Sequence, residues 1–175
     1  MKSYTLRAIA DLFAAVDHHH DADRIHLQLR GLSARGLLTH IPDSYGPKGA
    51  LKFNEIEVYR ARVLIAAVDL GITKADLGKL KSQLDGAGFR SLKFAVAALG
   101  EAQWWVFEIA RIREYGAGAL NVACFWVVNG DRDGRAPPLA PPSEHDVYSM
   151  GGTIEAVVGI PFTALARPIS AILAV

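Results

Sequence analysis

Residues 32–39 read LSARGLLT, and the segments around this stretch follow a definite order. Helical periodicity precedes the stretch, and a turn rich in glycine and proline, Tyr45–Gly49, follows it. A short apolar run then ends at Phe53, and Asn54 with Glu57 three residues later has the residue types of a capping box. The pattern predicts a helix, a turn, two short strands around a basic tip, and another helix.

Two helices are predicted in the first part of the chain, up to about Arg35. Thr5 can cap the first, over residues 6–15, because apolar residues recur there at i, i+3, i+4 and i+7. Asp21 or Asp23 can cap the second, which reaches about Arg35. Its predicted inner face consists of Ile25, Leu29 and Leu32.

Two strands and a long helix are predicted next. The strands cover residues 37–41 and 50–53, and the helix that Asn54 caps runs to Leu70 with Gly71 in the C′ position. Its predicted buried stripe consists of Ile56, Tyr59 or the stem of Arg60, Val63, Ala67 and Leu70.

A further helix completes the first half of the chain. Thr73 opens it, and residues 74–84 form it with Leu77, Leu80 and Leu84 facing inward. Gly86 and Gly88 then end the helix and mark the expected domain boundary. We therefore expect an α+β protein in which residues 1–86 form a winged helix-turn-helix domain.

Residues 87–175 are expected to form a smaller domain with a β-hairpin and a C-terminal helix. A short helix is predicted at residues 91–99, and strands at 104–113 and 119–128 are joined by a turn at 115–118. Residues 129–145 contain four prolines and two glycines and are expected to be a loop. The last helix is predicted at residues 163–174, kinked or split by Pro168.

Composition limits the function classes. Residues 1–82 hold 12 Lys and Arg against 9 Asp and Glu, whereas residues 83–175 hold 7 against 9, so the basic half is the predicted DNA-facing half. A single cysteine, Cys124, excludes an internal disulfide and fits a reducing cytosol. Arg167 and two prolines interrupt the apolar C-terminal stretch, which favours a buried element over a membrane span. The N-terminal residues lack a secretory signal pattern. We expect a cytoplasmic protein with no membrane contact.

Four short segments resemble the winged-helix domain of the MerR family, including its excisionase-like relatives. The segments are YTL at residues 4–6, ARGLL at 34–38, FNE at 53–55 and LGIT at 70–73. They match, in order, the family's first helix start, the end of its recognition helix, the helix start after the wing, and the step between the last two helices. The resemblance covers about 80 residues and implies sequence-specific binding of double-stranded DNA, with transcriptional regulation as the expected role.

The predicted DNA contacts lie on the second helix and the wing. The side chains of Arg, Gln and His that point outward on that helix suit base edges or phosphates, and basic wing residues suit phosphates. The predicted contacts are Arg24, His26, Gln28, Arg30, Arg35, Tyr45, Lys48 and Lys52. The alternatives are an excisionase-like or phage-type architectural DNA-binding protein, and a winged-helix module that binds a protein through this helix.

The second half is expected to provide a homodimer contact, an effector site or both. Its aromatic residues fit a core, a ligand pocket or a dimer face, and we expect residues 89–175 to self-associate because an isolated hairpin covers little apolar area. These residues are Trp104, Trp105, Phe107, Phe125 and Trp126. A small-molecule effector is the other partner considered.

The remaining motifs favour structural interpretations. The histidines at 18–20 are interpreted as a solvated linker rather than a metal site, and Cys124 as a small buried hydrophobe. Residues 131–134 resemble part of a calcium loop without its later ligands and are interpreted as a turn. We therefore expect no metal, no cofactor and no enzymatic activity.

Overall fold

The computed structural model describes residues 2–17, 21–86, 91–101, 103–114, 120–130 and 152–174. Within these ranges the chain forms six α-helices and two three-stranded antiparallel sheets. The predicted α+β class is confirmed at this level. The histidines at 18–20, the turn at 115–118 and the calcium-like residues 131–134 lie outside the described residues.

The first half begins with strand β1 (Ser3–Thr5) and helices α1 (Leu6–Val16) and α2 (Ala22–Ala34). Both helices have the predicted side-chain caps. The Thr5 hydroxyl accepts a hydrogen bond from the amide of Ala8 at 3.2 Å, and the Asp21 carboxylate accepts one from the amide of Asp23 at 3.0 Å. The inner face of α2 is the predicted set, Ile25, Leu29 and Leu32.

The predicted strand at residues 37–41 is wrong in its first half. Gly36 has φ +68°, and the amide of Leu37 donates to the carbonyl of Leu32 at 3.1 Å, which ends α2 in a Schellman-type turn. Leu37 and Leu38 are consequently buried in the turn. Strand β2 begins later and covers His40–Tyr45.

Strand β3 (Leu51–Asn54) lies between β1 and β2 in the first sheet. Strand β2 is therefore an edge strand, which explains how it tolerates Pro42. Its register with β3 shifts between His40 and Tyr45, and Asp43 within this interval has φ +52°. A bulge of this kind bends the strand and increases its local twist.

Helix α3 (Glu55–Asp69) is the central helix of the molecule, and α4 (Leu77–Leu84) follows it. The Asn54 side chain accepts the predicted hydrogen bond from the amide of Glu57 at 3.1 Å, and Gly71 after the helix has φ +81°. The predicted single buried stripe is wrong, because α3 packs against α2, α4, α5 and α6 and is buried on most sides. Leu70, predicted in that stripe, is 51% exposed.

Helix α4 begins three residues later than predicted. Thr73 donates its hydroxyl hydrogen to Asp76 at 2.6 Å, and a turn occupies the residues between them. The predicted inward leucines of α4 are buried: Leu77, Leu80 and Leu84.

The second half contains helix α5 (Leu92–Ala97), strands β4 (Gln103–Glu114), β5 (Leu120–Gly130) and β6 (Gly152–Ile160), and helix α6 (Phe162–Leu173). The predicted hairpin of β4 and β5 is confirmed. The predicted architecture lacked β6, which pairs with the other side of β4, so the second sheet has the order β5-β4-β6. Helix α6 continues through Pro168 and is not split.

One cluster of buried side chains runs through both halves. Trp105 contacts Phe94 and Trp126, and Phe162 of α6 contacts both Trp126 and Tyr59 of α3. The chain itself therefore covers this aromatic cluster. Self-association of residues 89–175 was expected because a hairpin alone would leave its aromatic side chains uncovered. This reason is wrong for four of them, which the chain itself buries: Trp104, Trp105, Phe107 and Trp126. The side chain of Phe125 lies outside the described part.

None of the helices in the described ranges combines the length and the apolar character needed to cross a membrane. The apolar C-terminal stretch is divided between β6 and α6, with Pro161 between them.

Candidate nucleic-acid interface

The solvent-facing side of α2 and its C-terminal cap carry three arginines around an exposed leucine. Leu27 is 65% exposed and lies opposite the buried row of α2. Arg24, Arg30 and Arg35 are also exposed. We call Arg24, Leu27, Arg30 and Arg35 the α2 face. Sequence reasoning missed Leu27 because it selected polar residue types, although helical geometry alone places this residue furthest from the inner face.

The arginines of the α2 face have no carboxylate partner among the residues that the structure describes. The one acidic residue within α2, Asp23, binds Arg7 of α1, which also pairs with Asp11 at 2.9 Å. The hydrogen bond to Asp23 is the main cause that raises the pKa of Arg7. Because Arg7 offsets the charge of Asp23, the α2 face retains its positive character.

Two predicted contact residues lie on the flanks of α2 rather than on the α2 face. The side-chain amide of Gln28 donates to the carboxylate of Asp69 at the end of α3, at 3.2 Å. His26 is half-buried, and within the described residues its Nδ1 atom has no hydrogen-bond partner. Base contact by Gln28 therefore requires that its bond to Asp69 be exchanged for one to DNA.

The hairpin of β2 and β3 presents the predicted wing residues. The tip is a tight turn at Pro47–Gly49, closed by a hydrogen bond from the amide of Gly46 to the carbonyl of Ala50 at 2.6 Å. Lys48 at the tip is exposed and has φ +57°, and Tyr45 before it is 59% exposed. Lys52 is half-buried in β3, so it is the least accessible of the three.

A buried ionic network fixes the turn between α2 and β2. The carboxylate of Glu57 accepts a hydrogen bond from the amide of Thr39 at 2.9 Å and also binds Arg60, which in turn binds Asp85 at the end of α4. Lys81 reaches the same Asp85 carboxylate at 2.8 Å. The predicted capping role of Glu57 was therefore incomplete, because its carboxylate holds the end of the α2 turn.

Cys124 behaves as the hydrophobic residue that the sequence predicts. It lies on β5, partly buried, and burial raises the pKa of its thiol to about 12, with a smaller contribution from Asp76. A thiol with this pKa is almost entirely protonated at neutral pH and is a poor nucleophile. Among the described residues, no group of three His, Cys, Asp or Glu side chains is placed to hold a metal ion.

Neither the models of known protein families nor the curated proteins give a match to this chain.

Proposed function

We propose that this chain is a sequence-specific DNA-binding protein with a MerR-like winged helix-turn-helix, acting in transcriptional regulation. The observation that carries the proposal is the α2 face, in which three exposed arginines lack acidic partners within the described chain, followed along the chain by a hairpin whose exposed tip carries Lys48. Both features suit double-stranded DNA, a polyanion whose major groove accepts a helix and whose phosphate backbone can contact a loop.

In the proposed complex, α2 lies in the major groove. An arginine can bind guanine through two hydrogen bonds, and Leu27 offers an apolar contact for a thymine methyl group. Lys48 at the wing tip binds phosphate, which fixes the orientation of the domain without reading sequence. The network of Glu57, Arg60 and Asp85 keeps the end of α2 in place, and this rigidity favours a defined register on the DNA.

The charge of the α2 face favours DNA over a protein as the partner of this helix. A flat or acidic surface over α2 would favour a winged-helix module that binds a protein. The exposed residues of α2 and its cap instead include three arginines, and the acid among them, Asp23, is already paired with Arg7. An architectural DNA-binding role remains the second candidate. It shares the same contacts and differs in its target, an attachment site rather than a promoter.

Dimerisation is part of the proposal because it would raise the affinity for DNA. One small module contacts a single half-site and gains limited affinity, whereas two modules on a two-fold site multiply it. The aromatic cluster of the second half no longer supports dimerisation, because the chain buries it.

The test is selection of bound duplexes from a random library by the full-length protein, followed by affinity measurements on the selected site. Arg30→Ala should weaken binding by about 1–3 kcal/mol if Arg30 contacts a base. The control is Lys93→Ala, which removes one exposed positive charge from α5. Failure to select any sequence, or equal losses for the two variants, would contradict the proposal.

A further inference from the structure

A cavity lies where the turn between α3 and α4 faces the second sheet. Its volume is about 320 Å³. Leu70, Gly71 and Ile72 form its wall on the turn side. On the sheet side the described lining residues are Ile109 and Arg111 of β4, and Ala156 and Val158 of β6.

The sheet side of the cavity follows from strand register. Ile109 pairs with Val158 and Arg111 with Ala156, so these four side chains lie on one face of the sheet. Helix α4 contacts β5 on the other side of β4, and helix α3 contacts β6, so the cavity lies between this face and the turn that follows α3. On the turn side, a Cβ atom added to Gly71 would meet no atom within 4 Å, so space is open above the glycine.

Arg111 is the one charged residue among the described lining residues. It is half-buried, and within the described part of the chain no hydrogen bond, ion pair or ring contact involves its side chain. Arg113, two residues further along the same strand, differs because both ends of its guanidinium reach Glu155. The Arg111 guanidinium therefore keeps its fork of N–H donors available beside an apolar wall.

We propose that this cavity binds a small apolar carboxylate. The guanidinium of Arg111 would bind the carboxylate through two charge-assisted hydrogen bonds. The leucine, isoleucine, valine and alanine side chains would contact the apolar body of the ligand. The cavity volume lies at the lower end of the range for small-molecule sites and leaves room for a ligand at least as large as benzoate.

The site has a direct connection to helix α2 through Gln28, and this part of the inference rests on the proposed function. Asp69 immediately precedes the cavity wall, and its carboxylate holds Gln28 of α2. A ligand that moves the turn at Leu70–Ile72 therefore changes the position of the Asp69 carboxylate relative to α2. Binding of the carboxylate ligand should consequently change the affinity for DNA, and DNA should change the affinity for the ligand by the same factor.

The first experiment measures binding of benzoate to the full-length protein without DNA, by chemical-shift changes of backbone amides. The amides of Gly71 and Ile72 should shift, and the neutral analogue benzamide should bind at least about tenfold more weakly. Arg111→Met should weaken benzoate binding by about tenfold or more, whereas Arg113→Met should leave it within about twofold. Ala156→Leu fills the cavity from an exposed position and should abolish binding.

Benzoate binding that is equal in Arg111→Met and the wild type, or no binding at millimolar benzoate, would overturn the proposed site. Thermal unfolding of each variant shows whether it is folded, and Ala156→Leu tests the cavity without removing a charge.

The second experiment compares affinity for the selected duplex with and without saturating benzoate. An unchanged affinity would overturn the connection to α2. Absence of any DNA binding would remove the proposed function and this connection, while the benzoate experiment still decides the ligand site.

Discussion

Arginines on two helices of the same half have opposite surroundings. On α3, Arg60 is 5% exposed and binds two carboxylates, and Arg62 pairs with Asp17 and lies over the ring of Phe13. On α2, the three arginines of the α2 face are exposed and have no acidic partner within the described residues. The comparison separates arginines that stabilise the fold from arginines that are available to a ligand.

The difference shows that the charge count of the first half overstates the basic charge exposed to solvent. The sequence of the first half counts all of its arginines equally, but Arg60 and Arg62 are already neutralised inside the molecule. Among the described residues of the first half, the exposed Lys and Arg side chains without an acidic partner are those of the α2 face and Lys48, together with Lys2 and Lys74. Substitutions of the α3 arginines should therefore lower the free energy of unfolding, whereas substitutions of the α2 arginines should lower the affinity for DNA.

The largest expected effect is on Arg60. Arg60→Met leaves the carboxylate of Glu57, itself 3% exposed, buried without its cation. We expect the free energy of unfolding to fall by about 3–5 kcal/mol. Chemical denaturation measures this loss. Adding Glu57→Gln, which keeps an acceptor for the Thr39 amide, should restore part of the stability; a double variant as unstable as the single one would show that charge burial is not the cause.

Arg62→Ala should have a smaller effect on stability. The guanidinium of Arg62 lies 2.6 Å from the Asp17 carboxylate in an ion pair that is not well aligned as a hydrogen bond, and it also packs over Phe13 at 5.6 Å from the ring centre. We expect a loss of about 1–3 kcal/mol in the same denaturation experiment. A change below about 0.5 kcal/mol would place Arg62 with the arginines of α2 instead.

Arg24→Ala should separate binding from stability. The side chain is exposed, so the free energy of unfolding should change by no more than about 0.5 kcal/mol. Affinity for the selected duplex should nevertheless fall, and the preference at one base position should relax if Arg24 reads a base. Unchanged affinity together with unchanged stability would mean that this end of α2 does not contact DNA.

The smallest expected effect is that of Lys48→Ala. Phosphates carry no sequence information, so this variant should weaken binding to all duplexes alike. It should also reduce the slope of log affinity against log salt by about 1. A changed base preference, measured by repeating the selection, would instead assign Lys48 to a groove.

Local signals explain which elements the sequence predicted. The caps at Thr5, Asp21 and Asn54 act within one turn of each helix, so residue type and spacing are sufficient to locate them. Leu37 and Leu38 were misassigned because two apolar residues after a glycine resemble the start of a strand, and only the φ of Gly36 places them in a helix-ending turn.

Long-range pairing explains what was missed. Strand β6 pairs with β4 across an intervening stretch of more than 35 residues, and an apolar run alone does not distinguish a strand from part of a buried helix. Similarly, Gln28 and Asp69 are 41 residues apart, and no local pattern predicts their hydrogen bond. The candidate DNA-contact residues were selected by type, whereas their separation into face and flank depends on the packing of α2 against α1 and α3.

The salt dependence of binding by the full-length protein to its selected duplex is the decisive measurement for the proposed DNA-binding surface. If the α2 face and the wing meet DNA, log affinity should fall linearly with log salt, with a slope of about −0.9 for each phosphate neutralised. Arg24→Ala and Lys48→Ala should each reduce the affinity, and Arg62→Ala should not, once the protein is folded. Binding that is indifferent to salt, or the absence of any selected duplex, would contradict the claim that the unpaired arginines of α2 form a DNA-binding surface.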